Sequence, residues 1–375
     1  MSPTTTTVAY AAGQTAPLRT SSGFNEPALD GLRWFAVALV MLAHFSSTLA
    51  EYADWGTYGV NLFFVLSGFL ITTILLRARS RIYAGEGTTA NELGRFHLRR
   101  IFRLWPVYFA VLGAAYAGNI GATRNSIVWH LAFLSNQYIL HIREWPGLLS
   151  HLWSLAVEQQ YYLVWSLIVL GTPMRLLPRV MVALIVLGPA TRWLLWEGGL
   201  RPESLIMVPL PCCLDLFGAG GLLAWTRLNT PDFRLPRVAG AAGLLGLSGW
   251  IALDVWLAGQ NLRPGHWVIY NATVQALAFA ILLAYVLATP IGLFTRFLRW
   301  SLWVYLGTIS YSIYLMHNFM HRLGPSVLRR VAGFNYFQSE WAHVAYLSGL
   351  SIIAATLSFY LLEKPVRAWG RRIAN

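Results

Sequence analysis

Apolar runs long enough to span a bilayer recur along the chain, at 31–49, 58–76, 104–119, 151–171, 179–196, 206–226, 237–257, 267–288, 302–320 and 342–362. A spanning helix needs about 20 mainly apolar residues. The pattern therefore predicts an all-α membrane protein, with about ten transmembrane helices in one bundle. The stretch 126–139 is apolar but broken by Asn136 and Gln137, and reads as an interfacial or re-entrant segment on the outer side. Residues 1–27 are rich in Ser, Thr, Ala and Gly without hydrophobic periodicity, and read as a disordered tail. The transmembrane domain is then expected over 28–370, with a short tail at 371–375. Because residues 1–27 precede a full-length span, they do not read as a cleaved signal peptide.

Polar positions inside the spans carry more information than the apolar ones. In LDGLRWFAVALVMLAHF, Arg33 and His44 lie eleven residues apart. Eleven steps of about 100° return to within roughly 20° of the same face, and about 1.5 Å per residue separates the two by roughly 16 Å along the axis. They share a face but cannot hold the same atom, which suggests an elongated ligand or two tasks at two depths. A charge at the bilayer centre costs about 2.5–3.5 kcal/mol on insertion scales, so such residues are functional candidates by default. Glu158 in the fourth run, Asn61 in the second and His317 in the ninth fall at depths comparable to His44, in the outer half of the bundle.

Charge supports the layout and fixes its orientation. The chain is 56% hydrophobic and only 11% charged, where a soluble domain carries about 25% charge. Short cytoplasmic loops collect Lys and Arg. Ten spans put both termini on one side with 19 of the 28 basic residues, against seven on the other, so both ends are expected in the cytoplasm and the protein in the plasma (inner) membrane. The net charge of +13 is dispersed over these loops without a recognition module, and no nucleic-acid partner is expected. Cys212 and Cys213 fall inside an apolar run and read as small buried hydrophobes. The pair His317 and His321 has helical metal-ligand spacing but no third ligand nearby, and no metal site is expected.

Several motifs, in order and spacing, resemble the integral-membrane acyltransferase 3 family of O-acyltransferases. They are LDGLRWFAVALVMLAHF, GVNLFFVLSGFLIT at 59–72, RRIFRLWPVY at 99–108, HLWSLAVEQQYY around Glu158, LGTISYSIYLMH at 306–317 and LEKP at 362–365. The resemblance covers roughly 27–370. It implies an enzyme that transfers an acyl group from cytoplasmic acyl-CoA, with acetyl-CoA as the expected co-substrate and no bound cofactor, to a hydroxyl of a surface glycan or another acceptor. Ending about 13 residues after the last span, the chain resembles members without a C-terminal hydrolase-like domain. Two positions depart from the family pattern: Asn61 stands where an acidic residue is common, and Lys364 where an arginine precedes the final proline.

Acylating an alcohol requires removing its proton as it attacks the thioester carbonyl, and a neutral imidazole has a suitable pKa. His44 is the expected general base, and Glu158 at similar depth the carboxylate that holds its tautomer. Direct transfer and an acyl-enzyme intermediate both remain open. Arg33, Arg99, Arg100 and Arg103 are placed for the phosphates and pantetheine arm of the donor, while Asn61, Tyr311, Tyr314 and His317 are candidate cavity-lining residues. Blander explanations exist for some of these: Arg33 near a helix end could snorkel, and the arginine cluster could be positive-inside loading. Ser67 and Gly68 read as residues that permit close helix packing, and Asp215 and Glu363 as packing or interface groups. An alternative function is a transporter or flippase that uses Arg33, His44, Glu158 and Asp215 as a polar pathway. The chain shows no repeated pair of interrupted half-helices to support it.

Overall fold

A computed structural model describes residues 7–10, 14–17, 26–120, 123–230, 237–334 and 337–373. Thr7–Tyr10 (β1) and Gln14–Pro17 (β2) pair antiparallel, and the rest of the expected N-terminal tail up to residue 25 lies outside the described residues. The helices are α1 Pro27–Phe45, α2 Ser47–Tyr52, α3 Trp55–Tyr83, α4 Thr89–Ala117, α5 Thr123–Leu131, α6 Ser135–Ile142, α7 Leu152–Gly171 and α8 Leu177–Glu197. They continue as α9 Leu214–Asn229, α10 Arg237–Gly259, α11 Trp267–Ala288, α12 Leu293–Leu298, α13 Ser301–Thr308, α14 Ser310–Ala332, α15 Glu340–Ser358 and α16 Lys364–Ile373. Their starts follow local chemistry: Pro27 opens α1 with Asp30 in its first turn. Side chains of Ser46, Asp54, Thr88 and Ser339 cap the N-termini of α2, α3, α4 and α15.

Among the described residues, six helices are long and apolar enough to cross a membrane: Pro27–Phe45, Trp55–Tyr83, Leu177–Glu197, Gly240–Gly259, Trp267–Ala288 and Glu340–Ile373. The remaining expected spans differ for identifiable reasons. The run 206–226 becomes a helix only from Leu214, because Pro209 and Pro211 hold the preceding chain in 3₁₀ turns, Glu203–Met207 and Leu210–Cys213. The run 302–320 is divided at Thr308–Ser310 into α13 and α14. The run 104–119 is the second half of the 29-residue α4, whose first half carries the arginines. The run 151–171 coincides with α7, with Glu158, Gln159 and Gln160 diluting its apolar character. The stretch 126–139 forms two short helices, α5 and α6, that meet at Phe133 with φ of 53°. Cys212 and Cys213 are free and fully buried.

Helix α3 runs through the centre of the bundle, packed between α1 and α9 and touching α7 and α11. Glycines let these backbones meet: a methyl group on Gly59 would overlap the Ala36 carbonyl of α1, and one on Gly68 or Gly220 would overlap backbone across the α3–α9 contact. Such close approach is how helices associate where lipid supplies no hydrophobic drive between them. Behind α9, Arg192 of α8 forms a fully buried ion pair with Asp215 at 2.6 Å. Its remaining donors reach the Cys212 and Ile269 carbonyls and Thr273, and Thr273 Oγ1 donates to Asp215 at 2.6 Å. The pair therefore joins α8, α9 and α11 with its hydrogen-bonding capacity used internally, and Asp215 does not face a cavity.

Two outcomes follow for stability in detergent. Gly68→Ala should cost about 1–3 kcal/mol by overpacking, whereas Gly94→Ala, at an exposed helical position with open space around it, should leave thermal unfolding unchanged or slightly raise its midpoint. Asp215→Leu should cost about 3–5 kcal/mol by stranding Arg192, and the double change Arg192→Met with Asp215→Leu should recover most of that loss.

Candidate active site

Five segments converge on one cavity of about 80 Å³. Helix α7 contributes Ser154, Glu158 and Tyr162, spaced at four-residue intervals on one face, and α3 contributes Val60, Phe63, Phe64 and Ser67 by the same periodicity. Arg33 comes from α1, Arg100 and Arg103 from α4, and Thr308, Ser310, Tyr311 and Tyr314 from the α13–α14 junction. The break at Thr308–Ser310 puts polar side chains at the wall where an unbroken apolar helix would have continued.

Glu158 is the carboxylate on this lining. Ser67 Oγ donates to Glu158 Oε1 at 2.6 Å and lies 3.4 Å from the Tyr162 hydroxyl. The Arg100 guanidinium sits 5.9 Å from the Tyr162 ring centre and 5.8 Å from that of Phe96, within cation–π range. Arg33 pairs with Asp30 one turn back at 3.3 Å. Among the described residues, no carboxylate forms an ion pair with Arg100 or Arg103. Three guanidiniums beside one lining carboxylate make the cavity electropositive, suited to an anionic ligand. Tyr311 is anchored by donating to the Leu104 carbonyl at 2.8 Å, and the Tyr314 hydroxyl lies 2.6 Å from Ser154 Oγ and 3.1 Å from the His151 carbonyl.

His44 lies elsewhere. At the end of α1 it is exposed and lines a second pocket of about 460 Å³ with Phe45, Ser46, Ser47, His321, Phe337, Gln338 and Glu340. Its Nδ1 is 2.9 Å from the Val40 carbonyl; a carbonyl only accepts, so Nδ1 carries the hydrogen, which leaves Nε2 as the acceptor of the neutral ring. His317 is fully buried between the two regions, its ring 4.8 Å from that of His44 and 5.1 Å from that of His151. It belongs to the partition between the cavities and lines neither.

The structure divides the residues singled out in the sequence between two pockets. Arg33, Glu158, Arg100, Arg103, Tyr311 and Tyr314 share one cavity. The expected pairing of Glu158 with His44 does not form, because Glu158 is engaged by Ser67 and one turn of α14, Tyr314 to His317, stands between. Equal depth fixes one coordinate of a side chain and leaves its direction open. Asn61 is turned away from the cavity and donates to Gln275 Oε1 of α11 at 2.8 Å, and Arg99 is exposed outside the lining. Glu363 accepts from Ser312 and pairs with Arg367. Ser67, Tyr162, Ser154 and His151 were missed as a group. The four-residue spacing of 154, 158 and 162 was the signal that could have found two of them.

Comparison with known proteins places this geometry in context. The family model described as an acyltransferase domain matches residues 26–362. A candidate peptidoglycan O-acetyltransferase, YrhL of Bacillus subtilis, is 30% identical over 374 residues, covering 92% of this chain and 55% of its own length. The peptidoglycan O-acetyltransferase OatA of Listeria monocytogenes is 26% identical over 369 residues, covering 92% of this chain and 56% of its own. The O-acetyltransferase OatA of Staphylococcus aureus is 26% identical over 371 residues, covering 92% and 57%. The chain spans about half the length of the curated relatives it matches, and no solved structure matches it. A match that runs from the residue before α1 to the turn after α15 takes in all five segments that build the cavity, and the chain belongs to the acyltransferase 3 family.

Proposed function

We propose that the protein is a membrane O-acyltransferase that moves a short acyl group, acetyl in the simplest case, from cytoplasmic acyl-CoA to a hydroxyl of a glycan outside the plasma membrane. The observation that carries this reading is the electropositive cavity, where Arg33, Arg100 and Arg103 face Glu158 and no other lining carboxylate. Such a cavity suits a donor with phosphates at one end and a neutral thioester at the other. The names of the three relatives supply the class of reaction, and the peptidoglycan named in two of them suggests a cell-wall sugar as acceptor. In this reading the bundle has about ten spans with both termini in the cytoplasm, and the arginines line the cytoplasmic mouth.

The cavity of about 80 Å³ is too small for a nucleotide, so the nucleotide stays at the mouth near the exposed Arg99 and the acyl end of the donor enters. Arg100 and Arg103 hold anionic groups of the donor. Glu158, fixed by Ser67, balances the arginines when no donor is present. At the far side, His44 Nε2 accepts the proton of the acceptor hydroxyl. The hydroxyl oxygen bonds to the acyl carbon as the carbon–sulfur bond breaks, and the CoA thiolate leaves toward the arginines. Glu158 therefore serves the donor cavity in this scheme and is not the partner of His44. Tyr314 and His317 form the partition that must open for the thioester to reach the hydroxyl beside His44.

Proteoliposomes supplied with radiolabelled acetyl-CoA and a peptidoglycan-derived glycan test the reading. Wild type should label the glycan, and His44→Ala should lower kcat by about 10²–10⁴, the usual contribution of a general base; transfer by that variant at the wild-type rate would refute the assignment of His44. Arg103→Ala should raise KM for acetyl-CoA more than it lowers kcat. Glu158→Gln should weaken the charge balance without emptying the cavity, with a smaller loss than Glu158→Ala.

A further inference from the structure

The outer pocket differs from the inner cavity in its charge. Its volume of about 460 Å³ lies within the range of about 300–1,000 Å³ typical of small-molecule sites, yet among the described residues neither Arg nor Lys lines it. Its one carboxylate, Glu340, is already engaged. Oε1 accepts from Ser46 Oγ at 2.9 Å, Ser47 Oγ at 3.2 Å and the Thr48 amide at 3.1 Å, and Oε2 accepts from Thr48 Oγ1 at 2.5 Å. An anionic ligand would find no cation to pair with and a fixed negative charge beside it. A cationic ligand would compete with four existing hydrogen bonds.

What the pocket does offer is flat rings and neutral hydrogen-bonding groups. Phe45 and His321 are nearly parallel, 11° apart with centres separated by 5.9 Å, and Phe337 supplies a further ring. Gln338 is exposed, and its amide makes no hydrogen bond among the described residues, so both its donor and its acceptor are available. Glu340 binds the α1–α2 corner from the first residue of α15, which fixes the neighbouring Phe337 and Gln338 beside His44. A pyranose has the matching chemistry: an apolar C–H face that covers a ring and a rim of hydroxyls that both donate and accept.

We infer that this outer pocket is a binding site for a neutral sugar ring, with Phe337 and His321 against its apolar face, Gln338 on its hydroxyls, and one hydroxyl presented to His44. The inference rests on the reading of His44 as the base of an acyl transfer. It adds a ligand class, selection against charged sugars and the residues that impose it.

Isothermal titration of the full chain in detergent tests the site with chitotriose, a neutral trisaccharide, and trigalacturonate, an anionic one of the same length. Wild type should bind chitotriose at least tenfold more tightly than trigalacturonate. Phe337→Ala and Gln338→Ala should each weaken chitotriose at least tenfold; Gln338 sits exposed at the rim, so its replacement leaves folding intact. Equal affinity of the two variants and wild type, a preference for trigalacturonate, or no chitotriose binding by wild type would each overturn the site. Acetyl transfer is scored on the same preparation. Binding that depends on Phe337 and Gln338 without any transfer overturns the acyl-transfer reading alone, and transfer with unaltered binding in both variants overturns the sugar site alone.

Discussion

Close backbone contact of α3 with α1 on one side and α9 on the other is the constraint on which the remaining arrangement depends. Within lipid the hydrophobic effect does not press helices together, so their association relies on packing, and packing at this distance requires glycine at the crossing points. Gly59 meets α1 and Gly68 and Gly220 meet across the α3–α9 contact, which fixes both the height and the rotation of α3. Ser67, next to Gly68, is thereby aimed at Glu158 of α7. A residue whose sequence context suggested only packing becomes part of the cavity because its neighbour does the packing.

The same bundle treats its charges in two ways, and the difference separates scaffold from site. Arg192 and Asp215 are wholly buried, and their donors and acceptors are consumed by each other, Thr273 and two backbone carbonyls. Such a pair is costly to break but has no capacity left for a ligand. Among the described residues, Arg100 and Arg103 face a cavity without an ion-paired carboxylate, and Arg33 forms an ion pair with Asp30 one turn away. Three guanidiniums against the one lining carboxylate, Glu158, leave net positive charge in a low-dielectric setting, which attracts an anion. The polar pathway that a transporter would need loses Asp215 to the scaffold.

Two pockets of opposite character then occupy one bundle. The inner one is small, electropositive and bounded by tyrosines, and the outer one is larger and free of lining Arg or Lys among the described residues. Between them one turn of α14 supplies Tyr314 and His317, whose contacts with Ser154 and His151 lock the partition to α7 and the turn before it. This wall keeps the two pockets apart, with Arg33 lining one and His44 the other.

Much of this was legible in the chain. Apolar run lengths gave the positions of α1, α8, α10 and α11 within about four residues and the start of α3, whose C-terminal end runs seven residues further, because a span is a property of local composition and length. Ionisable residues within apolar runs marked Arg33, His44 and Glu158 as candidates, because a charge in lipid is costly unless it has a partner or a task. Run length alone concealed the 3₁₀ turns that Pro209 and Pro211 impose before α9 and the break at 308–310. Side-chain direction lay further from reach: Asn61 turned to Gln275, and His44 and Glu158 were assigned to different cavities at similar depth. Depth follows from position along one helix, but direction depends on the rotation of that helix against its neighbours, and those rotations are set by glycine contacts between residues as distant in sequence as Gly68 and Phe217. The sequence by itself determined which residues are too costly to be idle; the tertiary structure decided which of them meet.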